Sequence, residues 1–214
     1  MASPAEQYVD TPGGQARVVT HAAEKPRAVL LLGHGAGAGI DTADLVALAE
    51  GLPAVGVTAQ LLEQPWRVAG RKIAGPPATL DTALLAVTSA LAPARGGVPL
   101  LLGGRSAGAR SAARCALDAG AVGVLALSFP LHPPGKPEKS RLHELEAAGV
   151  PTLVVQGEKD PFGRPEEFPA PTVLCPVPHA DHSFKVAKRA PITPDEVASV
   201  IVACVVEWLE RELS

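Results

Sequence analysis

Short continuous apolar runs alternate along the chain with longer stretches of helical spacing. The runs at 28–32, 55–62, 98–102, 122–128 and 150–156 have the length and continuity of strands covered on both faces. Between them, 42–51, 80–91, the stretch after Ser106, and 142–148 read as helices. A closing helix is expected over 195–213, where Val197, Ile201, Val205, Trp208 and Leu209 share one face, Thr193 is the N-cap and Pro194 takes the first position. Residues 6–10 and 16–20 flank Thr11-Pro12-Gly13-Gly14 and read as a hairpin, and 172–175 as a last short strand. Strands alternating with helices predict the α/β class: a mostly parallel sheet, helices on both faces, and a ligand site at the carboxyl ends of the strands. No repeat or linker divides the chain, so one domain over 1–214 is expected.

The most informative junction follows the third long run. Apolar 98–102 stops at a glycine pair, Ser106 sits inside Gly104-Arg105-Ser106-Ala107-Gly108, and an alanine-rich helical stretch follows. Strand, sharp turn and helix around Gly-x-Ser-x-Gly describe a nucleophile elbow, which raises the serine hydroxyl above the sheet edge. A serine hydroxyl needs a base, and the base needs an acid to hold its tautomer. His182 and Asp160 supply them, each near the end of a later strand, and the order serine, acid, histidine is the one this architecture imposes. Glu158 is the alternative acid and His179 the alternative base, whereas Asp181 reads as a solvated neighbour.

Acyl transfer also needs two donors for the developing oxyanion. Ala107, first in the elbow helix, offers one backbone N–H, and Ala36, in the turn Gly33-His34-Gly35-Ala36-Gly37-Ala38-Gly39, offers the second, with Gly35 as the near alternative. That turn also matches Gly-x-Gly-x-x-Ala through Gly33, Gly35 and Ala38, the dinucleotide fingerprint. The acid that fingerprint requires about 20 residues on falls near Pro53, and a nicotinamide reading leaves Ser106, Asp160 and His182 without a task.

Composition narrows the partners. Of the 214 residues, 47% are apolar and 19% charged, as in a globular protein, and at 3% aromatics the core must be built from Ala, Val and Leu. A net charge of −3 with no basic block argues against nucleic acid or an anionic membrane surface as partner. No signal segment or run of ~18 apolar residues is present, so a cytoplasmic protein is expected. Cys115, Cys175 and Cys204, odd in number and widely spaced, are expected as buried thiols. The six histidines form no ligand pair with an acid, so neither a metal nor a cofactor is expected, and His21 and His143 are left as surface residues.

Together GHGAGAG, GGRSAG, SFPLHPPGKPE, QGEKDPFG and HADHSF resemble the small α/β-hydrolases similar to dienelactone hydrolase. They are nearest the branch holding a testis-expressed hydrolase-like protein and a subunit of a histone-acetyltransferase complex. The resemblance spans nearly the whole chain. It implies an α/β-hydrolase fold without a large lid, a Ser106, Asp160, His182 triad and an oxyanion hole at Ala36 and Ala107. Dienelactone hydrolase uses a cysteine nucleophile where this chain has serine. The expectation is a serine hydrolase acting on a small ester, thioester or lactone. A shallow pocket is expected, walled by Trp66, Phe129, Leu131, His132 and Phe162, with Arg105, Arg67 and Arg71 placed to hold a substrate carboxylate. The alternative is a catalytically silent fold kept for binding or assembly.

Overall fold

A computed structural model describes residues 3–214. The elements in chain order are β1 (Ala5–Thr11), β2 (Gly14–His21), β3 (Ala28–Gly33), α1 (Ala43–Gly51), β4 (Val57–Glu63), α2 (Pro65–Val68) and α3 (Pro77–Leu91). They continue with β5 (Leu100–Arg105), α4 (Ala107–Cys115), β6 (Gly123–Leu127), α5 (Leu142–Glu146), β7 (Thr152–Gly157), β8 (Val173–Val177) and α6 (Pro194–Glu212). All eight strands form one sheet in the order β1-β2-β4-β3-β5-β6-β7-β8. The β1–β2 and β2–β4 pairs are antiparallel and every later pair is parallel.

Because successive strand residues face opposite sides, the fully apolar β3 feeds two cores at once. Leu30 and Leu32 pack with Leu45, Leu48, Ile201, Val205 and Trp208 of α1 and α6, and Leu31 packs with Leu84 and Val87 of α3 and Ala112 of α4. The heptad-like stripe expected on the closing helix is the buried face of α6, and Thr193 caps it, accepting from the Glu196 N–H at 3.3 Å while the Glu196 carboxylate accepts from Thr193 N–H. Between β6 and β7 lie only a 3-10 turn at Pro137–Lys139 and the short α5, so no large lid covers the strand ends. Among the described residues, no helix is long and apolar enough to cross a membrane.

One expectation is overturned. Cys175 of β8 and Cys204 of α6, 6.4 Å apart at Cα, form a disulfide, and only Cys115 is a free buried thiol. The pairing arises where α6 packs on the edge of the sheet against β8, a contact that a separation of 29 residues along the chain does not reveal. Burial beside Asp81 pushes the Cys115 thiol up to about 12, which keeps it protonated and unreactive. A disulfide runs against the cytoplasmic setting expected from the sequence, since reducing compartments disfavour such bonds. Alkylation of the denatured, unreduced protein is expected to modify one cysteine, and three after reduction; three without reductant would show that the bond does not form.

Candidate active site

Ser106 stands between β5 and α4 with φ 53° and ψ −110°, a conformation that a non-glycine residue adopts only under constraint. The constraint is visible on both sides of it. Its N–H donates to Leu127 O at 2.9 Å, tying the turn to β6. A Cβ on Gly104 or on Gly108 would lie 2.5 Å from Gly33 O, so both glycines of the motif let β3 run directly beneath the elbow.

The His182 ring bridges the serine and a carboxylate. Its Nε2 lies 3.0 Å from Ser106 Oγ and its Nδ1 2.7 Å from Asp160 Oδ2. Nδ1 faces an acceptor and therefore carries the proton, which leaves Nε2 free to accept from the serine hydroxyl. Asp160 is wholly buried at the turn after β7. Its Oδ2 also accepts from Gln156 Nε2 at 2.8 Å and its Oδ1 from the Phe162 N–H at 2.8 Å. The Phe162 ring packs on the His182 ring with centroids 4.3 Å apart, and Arg105 Nη2 donates to His182 O at 3.2 Å. The carboxylate and the imidazole are thus held by neighbours outside the row, and the serine by its backbone bond to Leu127 O.

Ala107 opens α4 and Ala36 lies in the turn after β3. That turn is pinned by His34, whose Nδ1–H donates to Gly35 O at 2.8 Å while its Nε2 accepts from the Gln64 N–H at 3.1 Å. Burial holds the His34 imidazole below its ordinary pKa, which suits this neutral donor and acceptor role. A cavity of about 700 Å³ opens over Ser106. Its walls come from Gly35–Ala38, from Thr42 and Asp44 at the start of α1, from the loop Phe184–Val186, and from Val197 and Ile201 of α6. Among the described residues, no group of three or more His, Cys, Asp or Glu is arranged to hold a metal ion.

With this geometry in view, the alpha/beta hydrolase domain matches residues 26–210. The chain belongs to the alpha/beta hydrolase domain family. Solved structures agree on the fold. A serine hydrolase without a lid from Xanthomonas campestris aligns with TM-score 0.74 at 17% identity, covering 99% of this chain and 95% of that one. An alpha-beta serine hydrolase homologue from Coxiella burnetii aligns with TM-score 0.75 at 16% identity, over 96% and 99%. A dienelactone hydrolase from Anabaena variabilis aligns with TM-score 0.72 at 18% identity, over 98% and 99%. No curated protein sequence matches the chain significantly.

In this hydrolase domain the expected pocket walls are only partly in place. Arg105 and Phe162 line the cavity, whereas Trp66, Phe129, Leu131, His132, Arg67 and Arg71 do not. Phe129 and Leu131 turn into the core with Leu145, Val154 and Phe168 because α5 packs back onto the sheet. His132 is bound at Nε2 by Glu167 and at Nδ1 by Pro133 O, both at 2.9 Å, and these acceptors raise its pKa. Trp66 lies edge-on to His34 beneath the turn. The backbone N–H of His179 donates to Glu158 Oε2 at 2.9 Å, so the alternative acid holds the histidine loop by its main chain, and neither residue lines the cavity. Asp181 shapes the histidine loop, its Oδ1 accepting from the Ser183 and Lys185 N–H groups. Sequence reading missed Gln156, His34 and Asp44. Gln156, a polar residue at the end of the apolar run 150–156, carried a signal; His34 in a glycine turn and Asp44 beside Asp41 and Thr42 carried none.

Proposed function

We propose that this chain is a serine hydrolase, of carboxylesterase type, that cleaves a small ester, thioester or lactone through an acyl-enzyme. The observation that carries the reading is the hydrogen-bonded row Ser106, His182, Asp160, at 3.0 and 2.7 Å, on the wall of a cavity of about 700 Å³. His182 Nε2 takes the serine proton as Oγ attacks the carbonyl carbon, and the backbone N–H groups of Ala36 and Ala107 receive the oxyanion. Collapse of this intermediate breaks the bond to the leaving oxygen or sulfur, which takes the proton from His182. Water then repeats the sequence on the acyl-serine and releases the acid. These steps use side chains, backbone and water alone. The segment 128–138 supports placing the chain nearest the branch that holds the testis-expressed hydrolase-like protein and the acetyltransferase-complex subunit.

A fluorophosphonate probe tests the machinery without knowledge of the substrate. Intact mass is expected to show one adduct on the unsubstituted protein and none on Ser106→Ala or His182→Ala. A folded protein that takes no adduct, or an adduct that persists on Ser106→Ala, would sink the proposal.

A further inference from the structure

Thr42 occupies the N-cap of α1, yet its hydroxyl makes no capping bond, unlike Thr193 at the start of α6. Nine buried side-chain nitrogen or oxygen atoms among the described residues have no hydrogen-bond partner. Three of the nine, Thr42 Oγ1, Asp44 Oδ2 and Arg105 Nε, belong to side chains that line the cavity beside Ser106. Asp44 is 3% exposed and Arg105 8%, and their two orphan atoms stand 3.7 Å apart, near enough to attract but too far to hydrogen-bond. Buried polar atoms are rarely left unpaired, and three in one wall next to a nucleophile mark a place where a ligand completes the bonding.

We propose that Thr42, Asp44 and Arg105 form a subsite for a free hydroxyl on the alcohol half of the substrate, so that the preferred substrates are esters of diols or polyols. The inference rests on the hydrolase reading, which decides which half of the ester occupies the cavity. The leaving oxygen must receive its proton from His182 Nε2, and His182 lines this cavity, so the alcohol half lies here.

The charges select the group. A carboxylate would face Asp44, and an ammonium would face Arg105 and Lys185. A hydroxyl oxygen accepts from Arg105 Nε–H and donates to Asp44 Oδ2; both atoms are closed to solvent in this structure, so the two side chains part slightly to admit it. Thr42 Oγ1 offers a donor or acceptor to a second hydroxyl. Val197 and Ile201, on the α6 wall, remain for the carbon skeleton.

The test compares 2,3-dihydroxypropyl butyrate with propyl butyrate, which share an acyl group and differ only in the hydroxyls. Binding is read by calorimetry on the inactive Ser106→Ala protein, so that it does not depend on turnover. The dihydroxy ester is expected to bind about 10-fold or more tightly than the propyl ester. That preference is expected to vanish when Asp44→Leu is added and to fall when Thr42→Val is added, the latter keeping the shape of the side chain. Equal binding of the two esters, or a preference that survives both substitutions, overturns the subsite. Turnover of the two esters by the unsubstituted chain is scored separately. A binding preference without turnover of either ester would leave the hydroxyl subsite standing and count against the hydrolase reading alone.

Discussion

Asp160→Asn is expected to lower kcat on a short-chain ester by about 10³- to 10⁴-fold while leaving the protein folded. In the native site Asp160 Oδ2 accepts from His182 Nδ1 at 2.7 Å, which fixes the proton on Nδ1 and presents a bare Nε2 to Ser106. An asparagine can turn an NH2 toward Nδ1. The ring then carries its proton on Nε2 and can no longer accept from the serine. Asparagine matches aspartate in shape, and Phe162 packed on His182 keeps the ring in place, so the loss falls on the proton transfer. The check is kcat and KM for p-nitrophenyl butyrate alongside a thermal melt: the expected pattern is a large fall in kcat at similar KM, with a modest fall in Tm because the new amide NH2 also faces Gln156 Nε2, which in the native protein donates to Asp160 Oδ2. A fall of less than about 10-fold would remove Asp160 from the mechanism.

Gly108→Ala carries the largest expected cost in stability. The added Cβ would lie 2.5 Å from Gly33 O, 2.6 Å from Gly33 C and 2.9 Å from His34 O, all backbone atoms of β3 and the turn that follows it. Neither side can yield easily, because α4 packs on the sheet through Ala112 and Ala113, and β3 is hydrogen-bonded to strands on both sides. Forcing them apart is expected to cost about 3 kcal/mol, the upper part of the range for overpacking. In a chain of this size that lowers Tm by roughly 6–12 °C. Displacing Gly33 and His34 also moves the turn that carries Ala36, so labelling by a fluorophosphonate should slow in whatever fraction stays folded. Gly37→Ala is the control, since a Cβ there meets nothing within 4 Å, and its Tm should shift by less than about 2 °C. Equal melting temperatures for the two variants would show that β3 does not pass so close beneath the elbow.

Much of the fold was legible because each signal was local. The runs at 28–32 and 98–102 became β3 and β5, and the turn Thr11-Pro12-Gly13-Gly14 joined β1 to β2 as expected. Where boundaries moved, local hydrogen bonding explains the change. The run 55–62 begins in a 3-10 turn at Leu52–Val55, so β4 starts only at Val57. The loop carrying Trp66 closes into the short α2, begun by Pro65 in a stretch with no helical periodicity to announce it. The last strand continues through Pro176, which an edge strand tolerates because it lacks a neighbour on one side.

What the sequence determined by itself is the set of reactive groups and their order. Ser106 between Gly104 and Gly108, Asp160 after one apolar run and His182 after another are properties of short segments, each read from its neighbours within a few residues. Their meeting at 3.0 and 2.7 Å was decided by strand order, which sets β5, β6, β7 and β8 side by side in parallel and brings three carboxyl-end loops to one place. The cavity walls were decided the same way. Phe129 and Leu131 have the right character for a pocket, but packing of α5 turns them inward, while Asp44 of α1, Phe184 of the histidine loop and Ile201 of α6 come together only when the chain is folded. The Cys175–Cys204 bond, too, exists only because α6 lies against β8. Residue chemistry is carried by the side chain and travels with the sequence, whereas proximity between distant side chains depends on how helices and sheet pack, and no short segment encodes that alone.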